Sequence, residues 1–162
     1  MILEEAQALT SAVMEQVAPL CIRAEPTGVV RRKWDCDIKH IELIAIPDHR
    51  DLAKLRALRD VVNRRWGNPR SGEFPSKHTS IRSAAPIDIY WVNRDTWGYM
   101  QFFRTGSVDF VLRALRYWKN KLGGSHSEGH LYNPSGDLVP TPEEQDVFNA
   151  LQCKFIDPEK RR

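Results

Sequence analysis

Cysteine is scarce and unpatterned in this chain: three in 162 residues, Cys21, Cys36 and Cys153, at unrelated spacings and with no CxxC pair. An odd number without ligand spacing argues against a disulfide scaffold or a zinc ribbon and points to reduced thiols in a cytosolic compartment. Long apolar runs are missing too, which argues against a membrane-spanning helix of about 20 residues. The opening MILEEAQALT is acidic and amphipathic, without the basic start and apolar centre of a secretory signal. Charge of one sign is nearly absent in sum. The net is only +3, so bulk electrostatics says little about an anionic partner.

What is present describes a soluble globular chain, 41% hydrophobic and 28% charged. Its length suits one compact unit or two small lobes. The distribution of basic residues is more informative than their sum. They cluster at Arg31-Arg32-Lys33, Arg64-Arg65, Arg113-Arg116-Lys119-Lys121 and Lys160-Arg161-Arg162. Such clusters either follow a phosphate backbone or form solvated faces.

Periodicity orders the chain. Ala6, Leu9, Val13, Val17 and Leu20 recur at helical steps and predict a helix over residues 3–20, broken by Pro26-Thr27-Gly28. The isoleucine-rich run IKHIELIAIP predicts a strand over 38–47. A helix over about 51–66 follows, with Leu52, Leu55, Leu58 and Val62 on one face, then a loop over 67–75 dense in Gly, Pro, Asn and Ser. Short strands are expected around 77–82 and 86–92. The stretch 102–107 reads as a turn into a helix over 107–121 carrying Val108, Val111, Leu112 and Leu115, ended by Gly123-Gly124. Thr141-Pro142-Glu143-Glu144 reads as a helix start, with Thr141 capping, Pro142 in the first turn, and Val147, Phe148 and Leu151 as the buried side. The order predicts an α+β lobe of about 97 residues and a smaller, mostly helical one.

Three polar positions stand out. His40 and Glu42 are two apart on an expected strand and so share a face, and Asp88 alternates with Ile87 and Ile89 on another. On neighbouring strands the three could converge on a divalent cation; an exposed sheet edge would carry the same alternation without any ligand. His49, His78, His126 and His130 show no ligand spacing with cysteine, and Lys77 could reach a phosphate or stay solvated. The tryptophans Trp34, Trp66, Trp91, Trp97 and Trp118 read mostly as core or lobe interface.

The order of motifs resembles the family X DNA polymerases. Gly28-Val-Val-Arg31-Arg32 followed by Lys39-His40-Ile41-Glu42 is similar to their glycine turn, paired arginines and acidic metal strand. Ile87-Asp88-Ile89 looks like the strand of the third carboxylate, and Thr105-Gly106-Ser107-Val-Asp-Phe110 like the motif opening the thumb. The tail from Leu131 through Thr141-Pro-Glu-Glu to Arg161 resembles the thumb's hairpin and last helix.

The resemblance implies a nucleotidyltransferase palm over 1–97, a mixed sheet with helices on one face, and a small helical thumb with a C-terminal hairpin over 98–162. It implies transfer of a deoxynucleotide from a dNTP to a primer 3′ hydroxyl, with two Mg²⁺ or Mn²⁺ ions as cofactors. His40, Glu42 and Asp88 would be the metal ligands and catalytic residues, with Asp88 nearest the hydroxyl. Gly28, Arg32 and Lys39 would lie at the nucleotide, and an arginine suits a triphosphate because it binds bidentately. Gly106, Arg113, Arg116 and Lys119 would meet a primer–template or gapped duplex. The expected protein is a monomer with no membrane partner, lacking the lyase and fingers regions of larger relatives as short viral members do. Three positions depart from the family: Val29 replaces a serine, Lys39 a glycine, and His40 the first catalytic aspartate. Neutral imidazole brings one negative charge fewer and suits Mn²⁺ or Zn²⁺ better than Mg²⁺. The rival reading is therefore a polymerase-fold module that binds DNA or nucleotide with a degenerate metal site.

Overall fold

A computed structural model describes the backbone of residues 1–66, 79–81 and 87–162, and the side chains of these except 63–66 and 79–81. The fold is α+β and divides into two compact units, Met1–Val92 and Asn93–Arg162. Among the described residues no helix is long and apolar enough to cross a membrane. The expected loop over 67–75, Lys77 and His78 lie outside the described residues, as does the side chain of Trp66.

In the first unit, helix α1 (Leu3–Val17) buries Ala6, Thr10, Val13 and Val17. Its expected extension to residue 20 is instead a 3-10 turn over Ala18–Leu20, where Pro19 has no N–H to continue the α-helical ladder. Strand β1 (Cys21–Pro26) and the short helix α2 (Gly28–Arg32) follow, in a region where the sequence pattern showed only a break. Next come β2 (Ile41–Pro47), α3 (Leu52–Trp66), β3 (Thr79–Ile81) and β4 (Ile87–Trp91).

The four strands form one mixed sheet in the order β1-β2-β4-β3. β1 is antiparallel to β2, β2 parallel to β4, and β3 antiparallel to β4. Ile41, Leu43, Ala45, Ile87, Ile89 and Trp91 pack with Ala6, Val13, Val17, Leu58 and Val62 in one core. Each large aliphatic side chain buried there contributes about 1.5–3 kcal/mol. Side chains alternate across a strand, so Glu42, Asp88 and Tyr90 lie on the sheet face opposite this core. Leu52, expected on the buried side of α3, is exposed, because it opens the helix about 1.7 turns before Leu58 reaches the core.

The second unit begins with α4 (Trp97–Thr105), so the stretch from Phe102 to Thr105, expected as a turn, is helical. The turn is confined to Gly106, at φ 71°, after which Ser107 caps α5 (Val108–Asn120) by accepting from the Phe110 N–H at 3.3 Å. Helix α5 turns Val111, Leu115 and Trp118 inward. Val108 and Leu112, expected on that buried side, are 74% and 46% exposed. Leu112 lies about 100° round the helix from Val111, and Val108 sits in the first turn, ahead of the buried stripe.

A small antiparallel sheet of β5 (Ser125–Ser127), β6 (His130–Tyr132) and β7 (Leu138–Val139) leads to α6 (Glu144–Ala150). The cap of α6 falls two residues later than expected. Asp146 accepts from the Glu143 N–H at 2.8 Å, whereas Thr141 is buried and its carbonyl accepts from the Gly98 N–H at 2.8 Å. Phe102 and Phe148 meet edge to face at 5.6 Å in a core that also holds Tyr99, Val111, Leu115, Leu131, Val147 and Leu151.

One residue of the Lys160-Arg161-Arg162 cluster is not part of a solvated or phosphate-following run, while its two neighbours are exposed. Arg161 is fully buried. Its Nη1 donates to Glu144 Oε1 at 2.6 Å and its Nε to the Ile156 carbonyl at 2.8 Å. The guanidinium lies 5.0–5.7 Å from the rings of Phe110, Phe148 and Phe155.

Candidate functional site

Two central strands carry the acidic positions. β2 and β4 run parallel with Glu42 registered against Asp88, so the two carboxylates stand side by side on the face away from the helices. His40 lies one residue before β2 rather than within a strand starting at Ile38. Its Nε2 is 3.6 Å from Asp88 Oδ2 and 4.0 Å from Glu42 Oε1. The side chains are 44% (His40), 20% (Glu42) and 19% (Asp88) exposed, open enough for a ligand to reach them.

The three residues singled out in the sequence therefore come together. Among the described residues, no group of three or more His, Cys, Asp or Glu is already arranged as a metal site. The donor chemistry of the trio nonetheless fits a divalent cation. Two carboxylates supply oxygens and negative charge, and an imidazole shifts the preference toward Mn²⁺ or Zn²⁺.

Glu42 is held from two further directions. The Tyr90 hydroxyl donates to Glu42 Oε1 at 3.3 Å, and Tyr90 is buried. On the other side lies Gly28, at φ 60°, where a Cβ would overlap Glu42 Oε2 and come within 3.0 Å of its carboxyl carbon. The approach is fixed by the Thr27 N–H, which donates to the Glu42 carbonyl at 2.8 Å and carries the chain from β1 into α2. Sequence reasoning did not single out Tyr90. The available signal was its position two residues after Asp88, on the same strand face.

The other residues assigned to the nucleotide have settings of their own. Arg32 is buried, its guanidinium 4.5 Å from the centre of the Trp34 ring. Lys39 is exposed and bonds Asp37. That bond holds the Asp37 carboxyl below the usual carboxylate range, helped by the Lys39 charge and by a hydrogen bond from the Met1 amine. Asp37 is thereby engaged away from Glu42. Asp48 lies 3.9 Å from Lys54 Nζ. Neither aspartate takes the place of His40.

In the second unit Arg113, Arg116 and Lys119 are exposed on α5, and Gly106 joins α4 to α5. Arg113 also donates to the Arg162 carbonyl, so it is tied to the chain's tail. Arg116 and Lys119 are three apart and share one side of the helix. His126 Nδ1 is 3.0 Å from the Tyr99 hydroxyl, within this unit's own framework. Burial pushes that hydroxyl up to about 12, so Tyr99 keeps its proton at neutral pH.

Residues 100–162 match the family model of the DNA polymerase beta thumb, which covers α5, the small sheet, α6, the tail and most of α4. No curated protein is significantly similar to the chain.

Proposed function

We propose that this chain, whose residues 100–162 match the DNA polymerase beta thumb, is a family X polymerase-like protein that binds DNA and transfers a nucleotide to a primer 3′ hydroxyl. The observation that carries the reading is the convergence of His40, Glu42 and Asp88, with His40 Nε2 3.6 Å and 4.0 Å from the two carboxylates. In this reading Glu42, Asp88 and His40 hold Mg²⁺ or Mn²⁺. A divalent ion there would stabilise negative charge on the attacking and leaving oxygens.

The chain's own groups account for the rest. Asp88, nearest the primer terminus by resemblance, accepts a hydrogen bond from the 3′ hydroxyl and aligns it for in-line attack on the α-phosphorus of a dNTP. The bond to that oxygen forms as the bond to pyrophosphate breaks, and the hydroxyl proton passes to the Asp88 carboxylate. Arg32, braced on Trp34, offers a planar fork of donors to the triphosphate oxygens. The glycine turn at Gly28 and the exposed Lys39 border the same approach. Arg113, Arg116 and Lys119 supply charge along α5 for the duplex backbone, a contact that does not depend on sequence. The palm and thumb of this reading are taken to divide near residue 97.

A second reading is favoured by the same distances. With an imidazole where the family's first carboxylate stands, these groups would form a degenerate metal site, leaving a polymerase-fold module that binds DNA or nucleotide without turnover. Primer extension in Mg²⁺ and in Mn²⁺ separates the two. The catalytic reading expects Asp88→Asn to slow extension at least about 100-fold, equivalent to about 2.7 kcal/mol, with DNA affinity little changed. An Asp88→Asn protein as fast as its parent overturns it, and a parent inactive in both metals leaves the binding module.

A further inference from the structure

Glu42 bears on His40 through Oε1, the same oxygen that accepts the Tyr90 hydroxyl at 3.3 Å. Its other oxygen, Oε2, lies against Gly28 where no side chain fits. One carboxylate oxygen thus accepts a hydrogen bond from outside the trio, and the other occupies space that a side chain at Gly28 would fill. A glutamate has three rotatable bonds, and fixing them restricts the orientations its carboxylate can present. Tyr90 is well placed to do so, because it is buried on a central strand two residues from Asp88. Its ring therefore has little freedom, and its hydroxyl is an anchored donor. Gly28 complements it from the β1–α2 turn, held in register by the Thr27 N–H to Glu42 carbonyl bond of 2.8 Å.

We infer that Tyr90 and Gly28 are positioning residues for Glu42: the hydroxyl fixes one carboxylate oxygen, the bare glycine backbone makes room for the other, and together they aim the group at the space it shares with His40 and Asp88. The inference rests on the reading of that space as a divalent cation site. Gly28 acts here through Glu42, in addition to bordering the nucleotide's approach. Partners that orient a metal-binding side chain typically change metal affinity or activity by about 10–100-fold when removed.

The experiment uses the full chain and two readouts. First, carboxyl ¹³C NMR of the metal-free protein follows Glu42, its resonance identified by loss in Glu42→Gln, and Asp88, identified in Asp88→Asn. Tyr90→Phe keeps the ring and removes only the hydroxyl; it is expected to move the Glu42 resonance and leave that of Asp88 in place. Second, Mn²⁺ titration by electron paramagnetic resonance should show affinity lower by about tenfold in Tyr90→Phe, with the unfolding midpoint within a few degrees of the parent. Gly28→Ala, which retains the hydroxyl, should move the same Glu42 resonance by crowding Oε2. An unmoved Glu42 resonance in both variants overturns the inference, as does Mn²⁺ affinity in Tyr90→Phe equal to the parent's. A parent that binds no Mn²⁺ while the Glu42 resonance still shifts would sink the cation-site reading and leave the orienting contact standing.

Discussion

The two units treat charge in opposite ways. In the second, Arg161 and Glu144 are sealed in the core at 2.6 Å, the guanidinium capped by three aromatic rings and bonded to a backbone carbonyl. In the first, His40, Glu42 and Asp88 approach to 3.6–4.0 Å and remain partly open to solvent. A buried pair must be tightly matched, because each charge has lost its water and only the partner and added hydrogen bonds replace it. A group intended for a ligand needs the reverse: held in place but accessible, so that the ligand supplies the missing interaction. Burial and distance thus separate a charge that holds the fold from charges suited to chemistry, although composition alone would group Arg161 with the basic surface.

The contrast can be broken by removing one partner on each side. Arg161→Met should leave the Glu144 carboxylate buried without its cation and cost about 3–5 kcal/mol, read by urea unfolding. His40→Ala should change stability by less than about 1 kcal/mol, since that side chain is exposed and its pairing is screened. Comparable losses in the two variants would erase the distinction. A smaller effect tests the surface of α5. If Arg116 and Lys119 meet phosphates, Arg116→Ala with Lys119→Ala should flatten the dependence of log affinity on log salt by about 1.8, near 0.9 for each phosphate no longer neutralised. Arg113→Ala should flatten it by less than either residue's share, because that guanidinium is already bonded to the Arg162 carbonyl. An unchanged slope in the double variant would remove this face of α5 from the duplex.

Much of this was visible in the residues. The isoleucine-rich run IKHIELIAIP and the stretch over 86–92 were expected as strands, with His40 and Glu42 sharing a face and Asp88 alternating with apolar neighbours, while the 3.6-residue pattern located α1, α3 and α5 to within a few residues. β1 was hidden because CIRAEP has no clear alternation; its strand character comes from pairing with β2. α2 has five residues, too few for a period to show. Tyr90 was obscure for a different reason: an aromatic residue in an apolar strand reads as core, and only the fold brings its hydroxyl to Glu42 across 48 positions of chain. Arg161 was masked by Lys160 and Arg162, since its burial depends on Glu144, 17 residues earlier. Local patterns report on local structure; these last two pairings are products of the tertiary fold.

His40 decides between a working site and a silent one, and the most direct test is primer extension by the parent, His40→Asp and His40→Ala, each in Mg²⁺ and in Mn²⁺. A site of two carboxylates and an imidazole should favour Mn²⁺ over Mg²⁺. His40→Asp adds an oxygen ligand and a negative charge beside Glu42 and Asp88, and should raise extension in Mg²⁺ by about tenfold or more, equivalent to about 1.4 kcal/mol. His40→Ala should lower extension in both metals. An active parent matched by His40→Ala in Mg²⁺ and in Mn²⁺ would contradict the proposed role, because His40 would then contribute nothing to the reaction it stands beside.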